Sequence, residues 1–195
     1  MKKEHIPHKI SKETQRIIIC LTVIALCSAL LLGVINMFTK VDEESKLKDA
    51  IAEIYPEEIV ETVELDGYDN LKGTTLDSLM VAKDGAYIAV VHVEKATGVC
   101  YNAKGITIVV VLKDDKIVKV ENYSHSETPG LGENALKEKH LSQYKDLSVN
   151  LFDIEDNATE GEFFTPIKVT SATYSTNGVQ LGVRAAVKAY VINRG

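Results

Sequence analysis

Residues 17 to 39, IIICLTVIALCSALLLGVINMFT, carry no charged side chain, and no other stretch limits the chain's options so strictly. In hydrocarbon every backbone N–H and C=O must find its partner inside the segment, so an uncharged run of this length is a helix. At about 1.5 Å per residue it spans roughly 34 Å, enough to cross a bilayer. A cleaved signal peptide would show a shorter apolar core and a small-residue cleavage site ahead of Lys40, so the sequence predicts a retained anchor. Residues 1 to 16 hold Lys2, Lys3, Lys9, Lys12 and Arg16 against Glu4 and Glu13, a net of +3 in a chain of net −6, which leaves −9 for the rest. The positive-inside rule keeps residues 1–16 in the cytoplasm and places everything beyond the anchor outside the cell membrane, in a single pass. The acidic remainder excludes nucleic acid as a partner, since a phosphate backbone would be repelled.

Beyond the anchor the pattern changes period. From Glu44 to Tyr55 the apolar residues Leu47, Ala50, Ile51 and Ile54 recur at helical spacing and stop before Pro56, predicting a short amphipathic helix. Residues 56 to 84 mix acids with hydrophobes and read as strand and loop, so 40–84 is expected to be a stalk helix and linker region. A separate domain is then expected over 85–195. Its first part is rich in Val and Ile: AYIAVVHVE (86–94), GITIVVVL (105–112) and IVKVENYS (117–124), the last two joined by the hairpin-length Lys113–Lys116 connection. Three neighbouring strands predict an antiparallel sheet. A rigid Pro-Gly turn at 127–132 leads into a short helix from Asn134, and 146–165 reads as a strand and a solvated acidic loop. The run from Asn177 sets Val179, Val183, Ala186, Val187, Tyr190 and Val191 on one face, predicting an amphipathic helix. The expected class is α+β, with an antiparallel sheet flanked by helices behind one transmembrane helix.

Ordinary soluble-enzyme chemistry finds little support. No Ser/His/Asp or Cys/His arrangement and no Walker loop occurs, and the Gly130–Gly132 pair lacks the third glycine of a dinucleotide fingerprint. His125 and Glu127 could form an acid/base pair, but a hydrogen-bonded loop pair is the expected reading. Cys20 and Cys27 lie seven apart in the anchor as small packing residues, and nothing near Cys100 has metal-ligand spacing. The remaining concentration of chemistry is TSATYSTNGV, residues 170–179, which sets Thr170, Ser171, Thr173, Ser175 and Thr176 ahead of the last helix. Hydroxyls at a helix start, with its free N–H groups and positive dipole end, suit a phosphate; they also make ordinary N-caps.

Two segments together decide between these. SETPGLGE (126–133) and TSATYSTNGV resemble the two motifs of the FMN-binding domain family, shared by the G subunit of the Rnf complex and the C subunit of the sodium-translocating NADH:quinone reductase. One N-terminal membrane helix and an extracytoplasmic body are also similar. The resemblance implies FMN esterified through its phosphate to the last threonine of an Asp-x-x-Ser/Thr-Gly-Ala-Thr signature by a separate flavin transferase. Carried over, Thr173 is the acceptor, with Thr170, Ser171 and Ala172 before it. Glu127, Thr128, Pro129, Gly130, Leu131 and Gly132 form the second cofactor-binding segment. Two positions depart from the signature: Ser171 stands where glycine is usual and Ile167 where aspartate is usual. The implied role is an electron-transfer flavoprotein subunit of a membrane-bound, ion-translocating ferredoxin:NAD oxidoreductase, whose other subunits are partners and which performs no complete reaction alone. The short chain favours the Rnf type over the quinone reductase. A cofactor-free extracytoplasmic binding domain and a stand-alone flavin reductase are the other readings.

Overall fold

Asp114 and Asp115 both adopt left-handed backbone, φ 50° and 60°, and this two-residue reversal fixes the register of the hairpin it closes. Positive φ at both central residues is the type I′ geometry, whose twist matches that of paired strands, and aspartate tolerates it. The hairpin joins β4 (Ile106–Lys113) to β5 (Lys116–His125) in the computed structural model, which describes residues 12–39, 43–155 and 163–194. The chain divides into two units, Met1–Leu47 and Lys48–Gly195. The first contains α1 (Lys12–Thr39), the one helix among the described residues long and apolar enough to cross a membrane.

In the second unit β1 (Ile59–Thr62), β2 (Thr74–Ala82), β3 (Tyr87–Val93), β4 and β5 form an antiparallel meander in sequence order. The strands expected at 86–94, 105–112 and 117–124 are present to within a residue. The boundary expected at 84/85 is corrected: β1 and β2 lie in the supposed linker yet belong to the same sheet, within a unit that starts at Lys48. Alternation in β2 is interrupted by a register shift between Leu76 and Ser78, which obscures the period a sequence reading relies on. The strand expected within 146–165 is absent among the described residues; Leu147 and Asp146 bond Ile117, and a 3-10 turn follows at Val149–Leu151. Residues 156–162 of the acidic loop lie outside the described residues. The helix expected from Asn134 is three short pieces, a 3-10 turn at Gly132–Leu136, α3 (Glu138–Leu141) and a 3-10 turn at Ser142–Tyr144, because Lys137 is extended between the first two.

The last helix, α4 (Thr173–Asn193), begins four residues before Asn177 and packs on the sheet. Val179, Val183 and Val187 join Val91, Val93, Ile106, Ile108 and Val110 in one buried cluster, closed at its end by Leu136, Leu141, Tyr144 and Phe152. A Cβ on Gly182 would stand 2.8 Å from Ile108 Cδ1 and 2.9 Å from Val93 Cγ2, so glycine lets the helix approach this closely.

Tyr55 directly follows α2 (Glu43–Ile54), and its hydroxyl donates to Asp84 Oδ2 at 2.5 Å. Lys113 Nζ meets the same oxygen at 2.6 Å. These bonds, from Lys113 first and Tyr55 second, hold the Asp84 carboxyl down at about 2. The stabilisation is therefore present above the usual aspartate range and lost as pH falls through about 2. Asp84→Asn is expected to be less stable than wild type by about 1 kcal/mol or less near neutrality, the pair being open to solvent. Urea unfolding should show that difference vanishing in acid; a gap independent of pH would contradict it.

Candidate functional site

A buried carboxylate draws three segments together. Glu127, 3% exposed, follows β5; its Oε1 accepts from the backbone N–H groups of Tyr101 and Asn102, each at 3.0 Å. Its Oε2 accepts from Ser175 Oγ at 2.6 Å, in the first turn of α4. A carboxylate out of water needs its oxygens satisfied, and these three donors supply that. Gly132 makes the packing possible, since a Cβ there would lie 2.3 Å from Glu127 Oε2 and 2.6 Å from Ser175 Oγ. The intervening turn is closed by Leu131 N to Thr128 O at 3.1 Å, with Gly130 at φ +74°. The carboxylate of Glu127 is thus fully engaged away from His125, whose Nδ1 only accepts from the Glu127 backbone N–H at 3.2 Å. This is the hydrogen-bonded loop pair expected from sequence.

The hydroxyl cluster does not cap its helix. Ala172 occupies the N-cap position with no side-chain cap bond, and Thr176 Oγ1 donates back to Ala172 O at 3.0 Å. Ser175 and Thr176 are buried; Thr173 is exposed. Among the described residues the N–H groups of Thr173, Tyr174 and Ser175 have no acceptor, which leaves the helix start free to receive an anion. Ser171 stands at φ 63°, the left-handed backbone a glycine would supply. Ser171→Gly should therefore stabilise the domain by about 0.5 kcal/mol, the cost of left-handed backbone less the extra unfolded-state entropy of glycine. Urea titration checks this; a loss of stability would show that the Ser171 side chain holds the turn.

Between these segments lies a cleft of about 460 Å³, lined by Thr128, Leu131, Gly132, Ser171, Ala172, Thr173, Tyr174, Ser175 and Tyr101. Six of the ten residues expected from sequence thus share one wall. Glu127 is buried behind it, Pro129 and Gly130 form the turn outside its lining, and Thr170 lines a neighbouring cavity. Tyr101 and Tyr174 escaped the sequence reading as site residues; their rings are 6.4 Å apart and tilted by 33°. Ser175 was visible only as one more hydroxyl. With Leu131, the tyrosines give the cleft exposed apolar walls. Cys100, next to Tyr101, is no nucleophile here: burial pushes its thiol up to about 12. A free hydroxyl and unpaired N–H groups beside flat apolar surface suit a ligand with a phosphate at one end and an aromatic ring at the other.

Residues 102–188 match the FMN-binding domain family. Over 81 residues the chain is 32% identical to the G subunit of the proton-translocating ferredoxin:NAD(+) oxidoreductase complex of Clostridium ljungdahlii, a match covering 42% of this chain and 43% of that protein. The chain therefore aligns with less than half the length of that relative.

Proposed function

We propose that the chain, whose residues 102–188 match the FMN-binding domain family, is an electron-transfer flavoprotein subunit of an Rnf-type, membrane-bound ferredoxin:NAD oxidoreductase, with FMN attached through its phosphate to Thr173. The observation that carries this reading is the exposed Thr173 at the free N-terminal turn of α4, tied to the 126–133 loop by the Glu127–Ser175 bond. Bound FMN supplies reversible electron acceptance and donation. The protein's part is placement. The unpaired N–H groups of Thr173, Tyr174 and Ser175 favour a phosphodiester charge by about 0.3–1 kcal/mol through the helix dipole. Tyr101, Tyr174 and Leu131 offer apolar surface to the ring and shed water from it.

A covalent tether makes cofactor dissociation irrelevant for a domain outside the cell, where the cytosolic flavin pool cannot refill it. α1 is the anchor, residues 1–16 stay cytoplasmic, and the flavin domain faces outward. A flavin transferase matures the chain, and the remaining Rnf subunits exchange electrons with it and move the ion. The sequence similarity to the Clostridium ljungdahlii protein favours this over the quinone reductase reading.

The test is co-expression with a flavin transferase, followed by a denaturing gel and mass mapping. A flavin-fluorescent band is expected in wild type, carried by the peptide that contains Thr173, and a dark band in Thr173→Ala. A dark wild-type band, or a Thr173→Ala band that still glows, would overturn the attachment. Co-purification with several membrane subunits tests the assembly.

A further inference from the structure

The segment from Phe163 to Ala172 forms a strap that delivers the chain to the first turn of α4. At one end Phe164 N donates to Leu151 O at 2.8 Å, and Phe164 O accepts from Gln180 Nε2 at 2.9 Å. At the other, Val169 N reaches Thr176 Oγ1 at 3.5 Å and Ala172 N donates to Val169 O at 2.9 Å. Between them, among the described residues, Thr165, Pro166 and Lys168 make no hydrogen bond. The fixed point is Ile167, whose N–H donates to Gln143 Oε1 at 2.7 Å.

Gln143 is itself held in place. Its Nε2 donates to His140 O at 2.9 Å and stands 2.9 Å from His140 Nδ1. His140 is 7% exposed, and the same amide nitrogen stands 3.1 Å from its Nε2 as well, so it lies across the imidazole face. With Gln143 Nε2 engaged there, Oε1 is the end of the amide that faces the strap. Ile167 meets the fold by hydrogen bonding only through its backbone; its side chain is 78% exposed.

We infer that Gln143 is a positioning residue for flavin attachment: by holding the Ile167 N–H it sets the path of the strap and hence the placement of the Thr173 hydroxyl. The inference rests on Thr173 being the acceptor. It is tested in the full chain, co-expressed with a flavin transferase, by comparing Gln143→Leu, which loses the acceptor, with Gln143→Glu, which keeps a carboxylate oxygen for the Ile167 N–H. Two quantities are read: hydrogen exchange of the peptide spanning 165–170, and the initial rate at which flavin fluorescence appears on the denatured band. Gln143→Leu should exchange about ten-fold faster in that peptide and load about ten-fold more slowly, with a melting temperature within about 3 °C of wild type. Gln143→Glu keeps the acceptor for the Ile167 N–H but loses the donation to His140 O, so it should restore both quantities in part, to values between those of Gln143→Leu and wild type. Should Gln143→Leu not fold, Gln143→Met, of similar length, reads the same loss. Unchanged exchange overturns the inference, and so does faster exchange with wild-type loading. If wild type takes no flavin, the acceptor assignment fails and the positioning role falls with it; wild type that loads alongside a Leu variant that loads equally well refutes the positioning role alone.

Discussion

Glu127→Ala should cost the domain about 3 kcal/mol or more, a large part of the 5–15 kcal/mol that holds a typical domain folded. Hydrogen bonds to a charged group contribute about 1.5–3 kcal/mol, and the substitution removes three while leaving the donors of Tyr101, Asn102 and Ser175 without an acceptor. The three segments that frame the cleft would lose their common partner, so flavin loading should fall with stability. Glu127→Gln keeps the shape: its carbonyl can still serve the two backbone donors, and Ser175 Oγ can accept from the amide. Its cost should be about 1–2 kcal/mol. Urea unfolding monitored by circular dichroism, with flavin content per folded protein, separates the two variants. An alanine variant within about 0.5 kcal/mol of wild type would mean that the carboxylate does not organise the site.

Gly105→Ala should be of similar size and act through the turn that carries Tyr101 and Asn102. A Cβ on Gly105 would lie 2.1 Å from the backbone oxygen of Val93, and the residue sits at φ +68°. A backbone carbonyl in a paired strand cannot swing aside as a side chain can. Left-handed backbone costs a non-glycine residue about 1–2 kcal/mol and the overlap about 1–3 more, for an expected loss of about 3–4 kcal/mol. Gly105 N also closes the turn onto Asn102 O at 3.1 Å, the turn that presents the Tyr101 and Asn102 N–H groups to Glu127. The same unfolding measurement applies, and Gly85→Ala is the control, since its Cβ would meet nothing within 4 Å despite a φ of +84°. If both variants lose the same amount, backbone angle alone explains Gly105.

The strands from 87 onward were legible because their β-branched runs are bounded by a turn whose chemistry is local. β1 and β2 were not, because a register shift at Leu76/Ser78 and the exposed edge position of β1 disguise their period. The start of α4 was misplaced because Ser175 and Thr176 look like capping residues. The structure turns both inward, one to a carboxylate 48 positions away and the other to its own helix. The two motif loops of the site could be read from sequence, each being a contiguous signature. Tyr101 could not, since its place on the cleft wall depends on the β3–β4 connection and on a bond to Glu127.

A meander in which every strand pairs with its neighbour in sequence can form from short loop closures, whereas the Glu127–Ser175 bond must bridge a long intervening segment. The sheet is thus expected to assemble ahead of the docking of α4, with the cleft as the last feature to exist. Pulse-labelled hydrogen exchange during refolding would show protection in β3–β5 before α4; simultaneous protection would refute the order. Under such an order, with the attachment proposed above, Thr173 is correctly presented only on a finished domain. Covalent loading would then act as a seal, marking chains that have completed folding and passing over those that have not.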